Sequence, residues 1–309
     1  MNLGAAIMGT GMLAAADPMD HVVPHTLFEI PSFLGGGFTA LDGMVYLPEK
    51  LPFTNHLLMS LIAAALMLLI FPLLARDYPM APRGMRNLFE SLMEFIRKEV
   101  AQPSLHEHTD KFMPFLWTVF FFILFNNLLG MIPLDAFSTV VAGKSHIFGT
   151  ATSGLSITAG LALISFLVFH GSGVVAQYHH GVEHGSSPGA AAIAATPRYL
   201  NSMVPHVPGV IGLILYLPLL GLEFALSFVK PFALAIRLFA NMFAGHTVLA
   251  SLLLLAPAGM KIASLGVSIP TVLGCAGLSC LELFVAFLQA YIFTFLTAMF
   301  IGAAVSPDH

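Results

Sequence analysis

Apolar residues run along this chain in long unbroken stretches, and the stretches set the expected elements. A helix needs about 20 consecutive apolar residues to cross a hydrocarbon core about 30 Å thick. Runs of that size occupy residues 54–75, 112–132 and 151–169. Two more, 204–256 and 262–304, are too long to stand upright, because as single helices they would measure about 80 Å and about 64 Å. Either each breaks into short upright helices or the two form a tilted antiparallel hairpin. Pro231 is a candidate kink, while Pro257-Ala258-Gly259-Met260-Lys261 is the clear break between them.

Between the first two runs the pattern changes. Met85, Leu88, Phe89, Leu92, Ile96 and Val100 recur at helical spacing, with Arg86, Glu90, Glu94, Arg97 and Lys98 on the other face. This predicts an interfacial amphipathic helix over 85–102, in preference to one packed on a soluble partner. Residues 170–203, rich in Gly, Ser and His, are expected to form a loop. The cluster His179-His180-Gly181-Val182-Glu183-His184 has no helical pattern to fix ligands, so it is read as solvated and no metal is assigned. His106-Glu107-His108 has the wrong spacing for HExxH.

The expected fold is an all-α polytopic membrane protein. It has about five membrane-embedded helices plus the surface helix, with the last two long and tilted as an antiparallel hairpin. Residues 1–53 form an outward-facing N-terminal segment and 54–309 the membrane domain.

Composition agrees with this fold: 57% of residues are apolar and only 9% charged, which excludes an ordinary soluble domain. Half of the 12 basic residues, Arg76, Arg83, Arg86, Arg97, Lys98 and Lys111, follow the first run, so that connection is expected on the cytoplasmic side. Residues 18–53 hold only Lys50, which points that segment and the N-terminus outward and the C-terminus to the cytoplasm. Residues 1–17 lack a basic start and are broken by glycines, a poor fit to a cleaved signal peptide. Cys275 and Cys280 are read as buried thiols.

The polar residues inside the runs carry the functional signal. Between Val204 and Pro307 the charged side chains are Glu223, Lys230, Arg237, Lys261 and Glu282. An arginine at mid-membrane depth costs from ~2.5 to more than 10 kcal/mol, so Arg237 is expected to face water or a carboxylate. No acid lies three or four residues away, which places its counter-charge on another chain. Glu223, Lys230 and Arg237 are seven apart, along one face, with Asn241 a turn beyond. His246, nine past Arg237, is about 180 degrees round. Folding the chain back near 263–264 brings Arg237 level with Gln289 and His246 with Glu282, a candidate titrating pair. Asn126 and Asn127 are read as helix-packing residues on spacing alone.

Arg237-Leu238-Phe239-Ala240-Asn241-Met242-Phe243-Ala244-Gly245-His246, with Glu282 and then Leu288-Gln289-Ala290-Tyr291, resembles the C-terminal half of subunit a of the F-type ATP synthase. The close match covers about residues 220–300. The resemblance implies that Arg237 is the stator arginine and that Asn241 and Gln289 are its ring-facing neighbours. His246 and Glu282 would be the His/acid pair of the inlet half-channel. Glu223 and Lys230 match positions on the cytoplasmic side, and Asn127 and Asp135 positions in the second transmembrane hairpin. Implied partners are a c-subunit ring carrying an Asp or Glu, b-type peripheral stalk subunits, the rest of the complex and the lipid bilayer, with no nucleic acid and no cofactor.

The implied location is a bacterial inner membrane. No GxxxxGK[ST] loop is present, so no nucleotide site or covalent chemistry is expected of the chain itself. The third run departs from the family by opening with Ser153-Gly154-Leu155-Ser156 where many members carry Asp and Asn, which leaves the outlet lining open. The alternative is a secondary ion or solute transporter, which would show inverted repeats; no internal repeat is found. A haem oxidoreductase would need facing histidines, and His56, His170 and His246 are too scattered.

Overall fold

The computed structural model describes residues 26–31, 50–75, 84–132, 155–203, 210–254 and 265–305. Residues 1–17, Ser153, Lys261 and Asp135 lie outside the described residues. The helices are α1 (Asn55–Ala75), α2 (Met85–Phe95), α3 (Gln102–Leu105), α4 (Thr109–Met131), α5 (Leu155–Glu183), α6 (Pro188–Ser202), α7 (Val210–Leu254) and α8 (Leu265–Val305). A π-helical turn, Ile96–Ala101, joins α2 to α3, and a 3-10 turn, His106–His108, joins α3 to α4. Among the described residues five helical segments are long and apolar enough to cross a membrane: Asn55–Leu74, Met85–Met131, Ser156–Glu183, Leu215–Gly245 and Pro270–Val305. The expected polytopic all-α fold is therefore the one observed.

Two compact units divide the chain. One comprises Met1–Ile62, Asn126–Gly154 and Ala240–Val285. Among its described residues is an addition to the all-helical expectation, an antiparallel pair of strands, β1 (Thr26–Pro31) and β2 (Lys50–Thr54), with Phe28 opposite Phe53 and Ile30 opposite Leu51. Pro31 and Pro52 fit such a ribbon because both of its strands are edges. Thr54 then caps α1: its Oγ1 accepts the Leu57 N–H at 3.3 Å, satisfying a donor that the first turn would leave free.

The second unit comprises Ala63–Phe125, Leu155–Phe239 and Ala286–His309. Here the expected interfacial helix folds back on α4. The Trp117 indole donates to the Met93 carbonyl at 3.0 Å, and Phe89 packs on Phe121 and Phe125. Ile96 and Val100 are fully buried, while Met85 and Leu88 stay exposed. Much of the apolar face that the sequence assigns to lipid is thus covered by the chain's own second span. Arg97 and Asp110 pair across the turn, and Lys98 and Glu94 pair one helical turn apart on the outer side.

α3 meets α8 at Gly302, where an added Cβ would lie 2.0 Å from the Ser104 carbonyl oxygen. That atom is backbone and cannot rotate away. We expect Gly302→Ala to destabilise the protein by about 1–3 kcal/mol, the usual range for overpacking, and to lower the apparent Tm of the detergent-solubilised protein.

Residues 170–203, expected to be a loop, are mostly helical. α5 continues to Glu183, and a short turn reverses the chain into α6. The turn is specified by Gly185 at φ +84: its N–H bonds to the Val182 carbonyl and the Ser186 N–H to the Gly181 carbonyl, the paired closure of a Schellman motif. Ser187 then caps α6, with Pro188 at its start. Gly173 and Gly181, inside the stretch expected to be a loop, are packing positions. An added Cβ would meet the Tyr199 ring at 2.2 Å and the Arg198 guanidinium at 2.4 Å. The expected histidine loop is accordingly a helix end, where the His180 and His184 rings stack at 4.1 Å.

α7 runs unbroken through Pro218 and Pro231. Proline removes one N–H and costs about 3 kcal/mol in an ordinary helix, but so long an apolar run has no competing structure that satisfies its backbone in lipid. With 45 and 41 residues, α7 and α8 are about 68 Å and about 62 Å long, so neither fits upright in a 30 Å core.

Candidate functional site

Each unit holds part of the polar set, and each is built from one stretch of α7 facing one stretch of α8. In the second unit, Leu234, Ala235 and Leu238 form the buried face of α7. At 100 degrees per residue, Glu223 and Lys230 fall at the margin of that face and Arg237 just beyond it. The burial follows: Glu223 and Lys230 are half-buried and Arg237 is exposed. Among the described residues Arg237 makes no ion pair or hydrogen bond. Ala233, one turn earlier, and Ile236 beside it are also exposed, so the guanidinium stands on an apolar outer surface with a small residue next to it.

Gln289 is on α8 in the same unit and only 5% exposed, and among the described residues no hydrogen bond joins it to Arg237. Sequence register places the two at one depth; the structure puts one side chain inside and the other outside. Glu223 and Lys230 do come together, on the wall of a cleft of about 560 Å³ lined also by Ser104, His106, Tyr199 and Ser202. Lys230 Nζ sits 5.4 Å over the Phe300 ring, a cation–π contact from α7 to α8 within this unit. That pairing lies close to the antiparallel register expected from folding near 263–264.

In the first unit the same register is met between Gly245 and Glu282. The Glu282 carboxylate lies against the α7 backbone there, so that a Cβ on Gly245 would stand 2.6 Å from Oε1. This Oε1 is buried and has no hydrogen-bond partner among the described residues. His246 is the next residue along the helix; its side chain lies outside the described residues. Asn241 is half-buried, and Asn126 and Asn127 are buried and engaged.

Gly245, Tyr199 and His106 are site residues that spacing alone does not single out. For Gly245 a signal exists: a glycine inside a helix costs about 1 kcal/mol against alanine, so its presence between Ala244 and His246 implies a close approach. Tyr199 and His106 come from segments whose fold the sequence misassigned or left open. Among the described residues no group of three His, Cys, Asp or Glu side chains converges to hold a metal.

Chemically, the arrangement offers a fixed cation on an apolar outer surface and a half-buried carboxylate whose buried Oε1 has no described hydrogen-bond partner. It also offers a cleft lined by one acid, Glu223, and by the basic side chains Lys230 and His106. Such a set can bind and release protons and attract an external anion.

The model of the family described as ATP synthase A chain matches residues 57–302. The chain is 36% identical over 305 residues to a Chloroherpeton thalassium protein named ATP synthase subunit a, covering 95% of this chain and 78% of that relative. It is 36% identical over 308 residues to one of the same name from Anaeromyxobacter dehalogenans, covering 94% and 71%. A protein named ATP synthase subunit a 2 from Chlorobaculum tepidum is 34% identical over 300 residues, covering 93% and 72%.

Proposed function

The chain belongs to the ATP synthase A chain family, and from that premise we propose that it forms the two proton half-channels and supplies the stator arginine of the enzyme's membrane sector. It is a multi-pass membrane protein of the F-type ATP synthase complex, with a part in proton transport. The supporting observation is Arg237, exposed on α7 and without an ion pair among the described residues.

The mechanism follows from the electrostatics of that cation. A carboxylate on each subunit of a rotating c-ring crosses the lipid arc protonated, because an ionised one would be too costly there. Near Arg237 the positive charge lowers the carboxylate's pKa and the proton leaves into one aqueous path. Further rotation exposes the next carboxylate to the other path, where it is reprotonated. The fixed cation also blocks a direct leak between paths. His246 and Glu282 serve the inlet, Asn241 and Gln289 flank the arginine, and Asn127 and Asp135 contribute from the second hairpin. Glu223 and Lys230 serve the cytoplasmic side. The basic connection after α1 faces the cytoplasm, and b-type subunits hold the chain against rotation. Each charge crossing is worth about 2.3 kcal/mol per 100 mV, so several are needed for one ATP.

Gentle detergent extraction tests the reading. The chain should copurify with a ring of small two-helix proteins bearing a mid-span Asp or Glu. A chain that purifies without such a ring, and carries a solute when reconstituted alone, would return the reading to a secondary transporter.

A further inference from the structure

The cleft of the second unit has a wall that the proposed path does not use. We propose, resting on the reading of Glu223 and Lys230 as part of the proton path, that His170, clamped by Tyr199, is a further residue setting the rate of proton passage, a charge gate in that wall.

The Tyr199 hydroxyl on α6 lies 3.0 Å from His170 Nδ1 on α5. Tyr199 also lines the cleft with Glu223, Lys230 and His106, so the bond links the cleft's surface to the imidazole behind it. Burial pushes the Tyr199 phenol up to about 12, which keeps its hydroxyl protonated as the donor to Nδ1. The other ring nitrogen, Nε2, is buried and has no hydrogen-bond partner among the described residues.

The charge state of this ring therefore matters. Neutral, it takes the hydroxyl's proton as a hydrogen bond at Nδ1 and leaves Nε2 unmatched. Charged, it carries two N–H donors, one of them unmatched, and adds a second cation behind a cleft that Lys230 already lines. The surrounding groups are few. Phe166 and Phe169 hold the ring at 4.2 and 4.3 Å, Phe228 of α7 packs on Phe166, and Phe300 of α8 packs on Phe169. Among the described residues the titratable side chains around the cleft are Lys230 and Glu223 from α7, His106 from the turn before α4, and Tyr199 from α6, and α8 lines it without any. A proton on His170 thus raises the positive potential of the cleft with one nearby acid, Glu223, to offset it, and slows the arrival of a further proton.

Inverted vesicles carrying the whole ATP synthase provide the test. ATP-driven acidification is followed by dye quenching from about pH 5 to 8, the range in which an imidazole changes charge. Each rate is divided by the uncoupled ATPase rate at the same pH, which removes the pH dependence of the catalytic head. The native complex should show an acid limb in which pumping falls. His170→Gln keeps a side chain able to bond Tyr199 but takes no charge, and should lose that limb, pumping several-fold faster than the native complex at the acid end. Tyr199→Phe keeps the ring that packs on Gly173, removes only the hydroxyl, and should shift the limb along the pH axis.

A profile superimposable on the native one in either assembled variant overturns the proposal, and if His170→Gln does not assemble, Tyr199→Phe decides. Arg237→Ala in the same assay separates the two readings. If that variant pumps normally, the channel reading itself fails; if it is dead while His170→Gln follows the native profile, only the gate fails.

Discussion

Arg237→Ala is expected to reduce ATP-coupled proton pumping by about 100-fold or more, to the detection limit, because a nearby cation lowers a carboxylate's pKa by about 1–3 units and nothing would replace it. Without that cation the ring carboxylate passes the stator still protonated and delivers nothing to the outlet. Assembly should survive. The side chain is exposed and makes no ion pair or hydrogen bond among the described residues, so truncation strands no described partner. Arg237→Lys should recover only part of the rate, since a flexible ammonium holds the charge but lacks the planar fork that fixes a carboxylate. Dye quenching in inverted vesicles measures the loss, and immunoblotting of the purified complex measures assembly. Normal coupled pumping by the alanine variant would sink the stator assignment.

The sequence made the long apolar helices legible because hydrocarbon leaves a backbone few options. Run lengths gave the number of spans, while the lengths of 204–256 and 262–304 left short upright helices or a tilted pair, and the structure shows two long continuous helices. The contacts of Lys230 with Phe300 and of Gly245 with Glu282, each within its own unit, lie close to the register that polar matching predicts. Tertiary packing was not legible. The amphipathic face of 85–102 is the same whether lipid or another helix covers it, and the contacts of Trp117, Phe121 and Phe125 of α4 decide between them. Gly173 and Gly181 mislead for a related reason: a glycine that ends a helix and one that admits a neighbour's ring look alike until the neighbour is placed. The cleft at Tyr199 follows from that error, since its wall exists only if α6 turns back along α5.

Gly245→Ala is the sharpest test of the pairing assigned to the inlet. The new methyl would stand 2.6 Å from Glu282 Oε1, closer than real Cβ atoms come, so something must move. The atom it meets is the free end of a flexible side chain, and the carboxylate should swing aside at little expense to the fold. Alanine is itself favoured over glycine in a helix by about 1 kcal/mol, so stability should hold or rise. Proton flux should nevertheless drop. Displacing the acid would break its proposed pairing with His246, worth about 1–1.5 kcal/mol, which corresponds to roughly tenfold in rate. Glu282→Gln, which removes the proposed proton carrier altogether, should cost more, toward the ~100-fold low end for a lost general acid or base. If the register is right, exchanging the two groups, His246→Glu with Glu282→His, should recover flux that either single change loses. Gly245→Ala with full flux would mean that the position of the Glu282 carboxylate does not matter to the proton, and the inlet pair would have to be sought elsewhere on α7 and α8.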